Sequence, residues 1–115
     1  MIVPVPLHSR RKRKRGFNQA EIVAKVLSEN TGIAMDAGAV KRIKATSPQK
    51  ELGDKGRKRN IRGAFAVQKN VKGENIVLID DIYTTGSTLD EAARVLKKAG
   101  AENVYFLTVS IGQGI

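Results

Sequence analysis

The stretch that decides the fold is residues 76–88, which reads Ile76-Val-Leu-Ile-Asp-Asp-Ile-Tyr-Thr-Thr-Gly-Ser-Thr88. Its four leading aliphatic residues are typical of a strand that is buried on both faces. Asp80 and Asp81 follow, and carboxylates are costly to bury unless something nearby favours negative charge. Hydroxyl residues and Gly86 come next, and a helical pattern then begins. The stretch therefore predicts a strand, a small-residue loop and a helix start, which together form a phosphate cradle with an acidic partner.

The helix start supplies the anion-binding half of this cradle. Helix N-termini carry unpaired backbone N–H groups and about half a positive charge. Gly86 lets the backbone approach a ligand closely and adopt a positive φ. Ser87 and Thr88 are suitable N-caps, and the spacing from Thr88 to Glu91 predicts a capping box. Hydroxyl groups add further donors, and those in the loop and first turn belong to Thr84, Thr85, Ser87 and Thr88.

The two acids supply the other half. Asp80 and Asp81 can accept hydrogen bonds from sugar hydroxyls, or hold Mg²⁺ through the sugar or through water, since this hard cation prefers oxygen ligands. A sugar phosphate would satisfy the acids and the helix start together. The structural alternative is that one acid caps the helix and the other lies in a loop, and receiver domains also place acids after a buried strand.

Length and composition limit the class of protein. The chain has 115 residues, which predicts one domain over residues 1–115. It has no cysteine, so neither a disulfide nor a thiolate metal site is available. No apolar run approaches the roughly 18 residues of a membrane span, and no signal peptide is visible. We expect a cytoplasmic protein with no membrane partner.

Positive charge is concentrated in two segments. The formal net charge is +10, from 21 Lys and Arg against 11 Asp and Glu. Six consecutive basic residues occupy Arg10–Arg15, and nine more lie from Lys41 to Arg62. Such clustering predicts an anionic partner, either a polyphosphate or a nucleic acid.

Strands and helices alternate along the chain, which predicts an α/β fold with a mostly parallel sheet flanked by helices. We expect strands at residues 2–7, 39–43, 64–67, 76–80 and 104–109. Helices should begin at Asn18 and near Thr88, and a short helical turn should lie near residues 54–60. The expected order in the sheet is 39–43, 2–7, 76–80 and 104–109, with 64–67 antiparallel at an edge. Two prolines in the first strand would be tolerated if the edge that lacks their donors is only partly paired.

Residues 76–88 resemble the signature of type I phosphoribosyltransferases, which bind 5-phosphoribosyl 1-pyrophosphate (PRPP). Other parts of the chain resemble the ComF competence-protein family, and the resemblance covers residues 2–110. The segments that carry it are Val3-Pro-Val-Pro-Leu7, Arg15-Gly-Phe-Asn-Gln-Ala20, Thr46 with Pro48-Gln49, and Arg59-Asn-Ile-Arg-Gly-Ala-Phe65. The resemblance implies a type I phosphoribosyltransferase-like fold with a flap. Members usually carry an upstream four-cysteine zinc region, which we do not expect here, so no zinc is assigned.

The resemblance also implies roles for individual residues. Asp80 and Asp81 would be the catalytic acids that meet the ribose hydroxyls, with Mg²⁺ as the cofactor. The 5′-phosphate would be held by Thr84, Thr85, Gly86, Ser87 and Thr88. Pyrophosphate would be held by the loop after the first strand and by the flap, through Arg10, Arg11, Arg15, Gly16, Lys50 and Arg59. The reaction would transfer the phosphoribosyl group to an unidentified acceptor and release pyrophosphate.

Two other functions stay open. In the hypoxanthine–guanine branch an acid stands where this chain has Thr84, and no substitute base can be named, so the domain would then bind PRPP or a nucleotide without catalysis. ComF proteins are also associated with DNA uptake, which makes single-stranded DNA or a competence helicase a candidate partner. A homodimer is the oligomeric state that we consider.

Overall fold

The computed structural model describes residues 1–7, 18–44, 61–83 and 86–111, with only the backbone described at residues 82–83 and 110–111. These ranges contain a parallel sheet with helices and a separate antiparallel pair of strands, which confirms the α/β prediction. In chain order the elements are β1 (Ile2–Pro4), α1 (Gln19–Thr31), β2 (Val40–Arg42), β3 (Phe65–Val67), β4 (Asn75–Tyr83), α2 (Ser87–Lys98) and β5 (Asn103–Ile111). The helical turn predicted near residues 54–60 lies outside the described residues.

The main sheet is parallel and has the order β1-β4-β5. Val3 lies beside Leu78 of β4, and Leu78 lies beside Phe106 of β5. This confirms the predicted order of the strands that begin near residues 2, 76 and 104. β4 is longer than predicted, since it continues through both acids to Tyr83.

The two prolines of the first strand segment face the less paired edge of β1. The Val5 amide donates to the Ile79 carbonyl of β4 at 2.8 Å, so the odd-numbered residues face β4. On the opposite edge, the Ile2 amide donates to the Ala34 carbonyl at 2.8 Å and the Ile2 carbonyl accepts from the Asp36 amide at 2.9 Å. The backbone groups of successive residues in a strand point to opposite edges. Pro4 and Pro6 therefore face this second edge. The missing proline donors therefore cost no bond to β4.

The strand predicted at residues 39–43 is not in the main sheet, and this part of the predicted order is wrong. β2 pairs antiparallel with β3 in a separate two-stranded sheet, with Val40 beside Val67 and Arg42 beside Phe65. An isolated parallel bridge between Met35 and Ile2 stands where the predicted neighbour of β1 would lie. A turn at residues 37–38 then redirects the chain. Residues 64–67 pair antiparallel as predicted, but they do so in this separate sheet and not at an edge of the main one.

Side chains on the two faces of β4 belong to two apolar clusters. Ile76 and Leu78 lie in the larger cluster. It also contains Leu89, Ala92 and Leu96 of α2, together with Val40 and Phe65 of the second sheet. Ile79 lies in the smaller cluster on the opposite face, with Ala20 and Ala24 of α1. Burial on both faces is what the aliphatic run predicted.

Both ends of α1 are capped, and the helix start predicted at Asn18 is confirmed. The Asn18 side-chain oxygen accepts a hydrogen bond from the Ala20 amide at 3.1 Å, which satisfies an N-terminal donor of the helix. Gly32 ends the helix with φ 76°, a conformation that glycine adopts at little cost. Within the described part of the chain, neither helix has the length and apolar character needed to cross a membrane.

Candidate functional site

Asp80 and Asp81 lie on β4 just after the residues that pair with β1. The strand is hydrogen-bonded to β1 as far as Ile79 and to β5 beyond that point, with Asp80 beside Thr108. Successive side chains point to opposite faces of a strand. Asp80 therefore points to the side that carries α2, and Asp81 to the side that carries α1. Both acids are half-buried at the carboxyl end of the central strand, which is where open α/β sheets bind ligands.

The carboxyl of Asp80 has an unusual proton affinity. Burial first of all, then its interaction with the Asp81 side chain and the charge of Asp81, raise the pKa of Asp80 from 3.8 to about 7. Two contacts oppose this rise: the Asp81 amide donates to Asp80 Oδ1 at 2.9 Å, and the positive charge of Arg42 favours the ionised carboxylate. Asp80 can therefore gain or lose a proton near neutral pH, and a bound cation would favour its ionised form.

Arg42 belongs to the surroundings of this acid pair, although the sequence did not single it out. Its side chain is only 8% exposed, and its guanidinium carbon lies 5.2 Å from the centre of the Phe65 ring on the paired strand. Its charge lowers the pKa of Asp80. In the sequence Arg42 is one basic residue in a basic segment. The available signal was its spacing from Val40, since alternate residues of a strand share a face.

The helix that follows the acids begins at Gly86, which is its N-cap with φ 81°. The Asp90 amide donates to the Gly86 carbonyl at 2.8 Å. The positive φ predicted for Gly86 is confirmed, and Ser87 and Thr88 lie in the first turn of α2 as buried and half-buried residues. The prediction that Ser87 or Thr88 caps the helix is wrong. The glycine takes the cap position because it adopts this conformation without the steric cost of a Cβ.

Glu91 does not form the predicted capping box with Thr88. Its Oε2 accepts a hydrogen bond from the Gly63 amide at 3.1 Å, and Arg94 donates to both carboxylate oxygens at 2.8 and 2.6 Å. The hydrogen bond from Arg94 is the main reason why the pKa of Glu91 is lowered. Glu91 is only 8% exposed. Its hydrogen bond with the Gly63 amide connects α2 to the residues that precede β3.

The predicted pyrophosphate and flap residues lie outside the described residues. These are Arg10, Arg11, Arg15, Gly16, Lys50 and Arg59, and the same holds for Thr84 and Thr85 of the phosphate cradle. The residues that flank both basic segments are described. Asn18 Nδ2 donates to the Val5 carbonyl at 3.1 Å, so Asn18, which follows the segment that contains Arg10–Arg15 in the chain, lies beside the carboxyl end of β1. The Ile43 amide donates to the Ala64 carbonyl at 2.7 Å, which joins the ends of the second basic segment.

The carboxylate oxygens of Asp80 and Asp81 suit Mg²⁺, which also takes ligands from substrate and water. They suit less well a metal whose ligands all come from the protein. Among the described residues, no three His, Cys, Asp or Glu side chains come together as a metal-binding group. Mg²⁺ is commonly held by one or two carboxylates together with substrate oxygens and water. Asp80 and Asp81, adjacent at a strand end, match that pattern. Chelation of zinc by thiolates is excluded because the chain has no cysteine.

Comparison with known proteins agrees with this arrangement. The phosphoribosyl transferase domain matches residues 13–111. The DNA utilization protein YhgH of Escherichia coli K12 is 43% identical over 103 residues, which cover 90% of this chain and 45% of that protein. Competence protein F of Haemophilus influenzae is 42% identical over 106 residues, covering 90% of this chain and 46% of that protein. Competence protein ComFC of Bacillus subtilis is 36% identical over 112 residues, covering 95% and 43%.

The chain thus spans a little under half the length of these relatives. The matched region includes β4 with its two acids and α2 with its glycine cap. The parallel order β1-β4-β5 and the antiparallel pair β2-β3 are consistent with the type I phosphoribosyltransferase-like fold. The chain therefore belongs to the phosphoribosyl transferase domain family, with relatives of the ComF type.

Proposed function

We propose that the domain binds PRPP with Mg²⁺ and transfers its phosphoribosyl group to an acceptor, with release of pyrophosphate. The observation that carries the proposal is the position of Asp80 and Asp81 near the carboxyl end of β4, with a helix capped by Gly86 as the next element of the chain. One element offers carboxylates for ribose hydroxyls, and the next offers backbone donors for a phosphate. A sugar phosphate requires both.

The transfer needs separation of charge at the anomeric carbon. The bond from this carbon to the pyrophosphate oxygen breaks, the pyrophosphate leaves with the electron pair, and the acceptor forms the new bond and loses a proton. Mg²⁺, when bound, would offset the negative charge of the leaving group. Asp80 and Asp81 would hold the ribose and place negative charge near the cationic sugar. Arg10, Arg11, Arg15, Lys50 and Arg59 are proposed to hold the pyrophosphate.

Binding of PRPP is the direct test of the acid pair. PRPP with Mg²⁺ should be titrated calorimetrically into the wild type and into the double variant Asp80→Asn/Asp81→Asn. We expect at least a tenfold weaker affinity in the variant, because neutral amides are poorer acceptors for the hydroxyls and the cation. Asp90→Asn, which makes the same kind of substitution once at an exposed residue of α2, is the control for loss of a carboxylate elsewhere in the chain. Equal affinity of the wild type and the double variant would refute the proposal.

Turnover is a separate question from binding. Release of pyrophosphate should be measured with PRPP and Mg²⁺ against a panel of purine and pyrimidine bases. Release that depends on one acceptor would support a transferase. PRPP binding without release for any acceptor would favour the non-catalytic alternative, in which the domain senses PRPP or a nucleotide.

Binding of single-stranded DNA is the second candidate function. It is supported by the net charge of +10 and by the clustering of basic residues in two segments. Relatives are named DNA utilization protein and competence protein, which also makes a competence helicase a candidate partner. Affinity for a fluorescent oligonucleotide should fall steeply between about 50 and 200 mM salt. No binding at low salt, or salt-independent binding, would exclude this function. We also propose that the protein is cytoplasmic.

A further inference from the structure

The carboxylate of Glu91 is fixed by partners on two parts of the fold. Its Oε2 accepts the hydrogen bond from the Gly63 amide, and Gly63 lies two residues before β3. Arg94, one turn further along α2, donates to both carboxylate oxygens. Glu91 therefore holds a defined point of the chain before β3 at a defined distance from α2.

Gly63 is itself joined firmly to the second sheet, which consists of β2 and β3. The next residue, Ala64, accepts a hydrogen bond from the Ile43 amide at 2.7 Å. Lys44 Nζ donates to the Arg62 carbonyl at 3.2 Å, so the residue before Gly63 is also tied to the end of β2. A displacement of Gly63 relative to α2 would therefore move the second sheet with it.

Stability alone does not account for a carboxylate at residue 91. Its neighbours on the buried face of α2 include Leu89, Ala92 and Leu96. Replacing a buried ion pair by apolar side chains is often neutral or stabilising. Apolar attraction has no direction, whereas a hydrogen bond requires a particular distance and angle. The carboxylate thus fixes the orientation of the second sheet on α2 in a way that an apolar side chain would not.

The second sheet carries Arg42 toward the acid pair. Val40 and Arg42 share the buried face of β2, and Val40 belongs to the larger apolar cluster together with residues of α2. Asp80 points to the same side of the main sheet. The Arg42 guanidinium is packed against Phe65, and its charge lowers the pKa of Asp80, so the two groups lie within electrostatic reach of each other. The position of the second sheet therefore sets the separation of Arg42 from the acids.

We propose that Glu91 is a positioning residue, whose hydrogen bond to the Gly63 amide fixes the place at which the second sheet holds Arg42 near the acid pair. The proposal deepens the proposed function and rests on it for the ligand. PRPP is a polyanion, and Arg42 would add positive charge where the acids hold its ribose. Glu91 would touch neither PRPP nor Mg²⁺, and it would act through the second sheet.

The position of the second sheet can be measured without a ligand. Since the chain has no cysteine, Gln68→Cys and Glu29→Cys introduce two sites for spin labels, both exposed, one directly after β3 and one on α1. Electron–electron double resonance should give one narrow distance distribution in the background with native Glu91. Glu91→Ala should shift or broaden it, whereas Glu91→Gln should preserve it because the amide oxygen still accepts from Gly63. Glu102→Ala, which removes an exposed carboxylate, is the control.

A double-mutant cycle tests the connection to Arg42. Calorimetric titration of PRPP with Mg²⁺ should be compared for the wild type, Arg42→Gln, Glu91→Ala and the double variant. We expect Arg42→Gln to weaken the affinity about fivefold when Glu91 is present and less than about twofold in the Glu91→Ala background. A purely structural role of Glu91 would leave the effect of Arg42→Gln the same in both backgrounds.

Hydrogen exchange supplies a measurement that does not depend on the folding of Glu91→Ala, which circular dichroism checks. The Gly63 amide of the wild type should exchange at least about tenfold more slowly than in an unstructured chain, although Gly63 is exposed. An unprotected Gly63 amide, an unchanged distance distribution in Glu91→Ala, or equal effects of Arg42→Gln in both backgrounds would each overturn the proposal. A wild type that does not bind PRPP would refute the proposed function, and the distances and the exchange would still decide whether Glu91 positions the second sheet.

Discussion

The stability of the protein should fall as the pH rises through neutrality, and Asp80 should account for much of this fall. The pKa of Asp80 is about 7 in the folded protein, whereas an aspartate in an unfolded chain titrates near about 3.9. Between these values the folded protein holds a proton that the unfolded chain has released. The free energy of unfolding therefore decreases as the pH rises through this window, and the decrease ends above the folded pKa.

The size of the effect follows from the pKa of Asp80. Going from about pH 5 to about pH 8 crosses roughly two units of the window, and each unit corresponds to about 1.4 kcal/mol. This amounts to about 3 kcal/mol for a fully shielded group. The carboxyl of Asp80 is half-buried, and screening by water reduces the expected change to about 2 kcal/mol.

The variant Asp80→Asn isolates this contribution because the amide does not titrate. Urea unfolding followed by circular dichroism at about pH 5 and about pH 8 gives the free energy of unfolding of both proteins. The variant should gain about 2 kcal/mol relative to the wild type between the two pH values. Asp90→Asn reports the effect of removing one negative charge from an exposed site. A difference between Asp80→Asn and the wild type that is the same at both pH values would refute the reasoning.

Three further substitutions test contacts around the site by urea unfolding at neutral pH. Glu91→Ala should lower the free energy of unfolding by about 2 kcal/mol, since it leaves the Gly63 amide without its carboxylate. Because the pKa of Glu91 is lowered, this loss should diminish in acid, where the wild-type carboxylate is protonated. A loss that is the same in acid would contradict this reasoning. Gly86→Ala should cost about 1–2 kcal/mol, because alanine is strained at φ 81°; no loss would mean that the cap adopts another conformation. Asn18→Ala should cost about 1–2 kcal/mol by removing the cap of α1 and the bond to the Val5 carbonyl, and an unaltered midpoint would exclude both contributions.

The sequence was sufficient to predict the order of β1, β4 and β5 in the main sheet and the acidic end of β4. Ile76 to Ile79 form an uninterrupted aliphatic run, and the pattern after Gly86 repeats at helical spacing. These signals are local and strong, so tertiary contacts reinforce them. The spacing of Pro4 and Pro6 likewise predicted that both missing donors lie on one edge of the first strand, and the structure shows that this is the edge away from β4.

Contacts between distant residues were not predictable from local pattern. Residues 39–43 form a strand as predicted, but a turn after Asp36 sends it to another sheet, and nothing in its own apolar pattern names its partner. Thr88 and Glu91 have the spacing of a capping box, yet Glu91 binds Gly63, which is 28 residues away. Arg42 resembles the other cations of its segment, and only its burial in the fold distinguishes it.

The position of β4 has a consequence for the entropy of ligand binding. Its backbone is bonded to β1 and β5 up to Ile79 and to β5 as far as Tyr83. Amide hydrogens in this strand should exchange among the slowest in the protein, since they open only with the main sheet. Ordering one backbone residue costs about 1–2 kcal/mol, and folding has already met this cost for Asp80 and Asp81. The backbone that carries their carboxylates is preorganised, so a ligand that they bind loses no affinity to ordering that part of the chain.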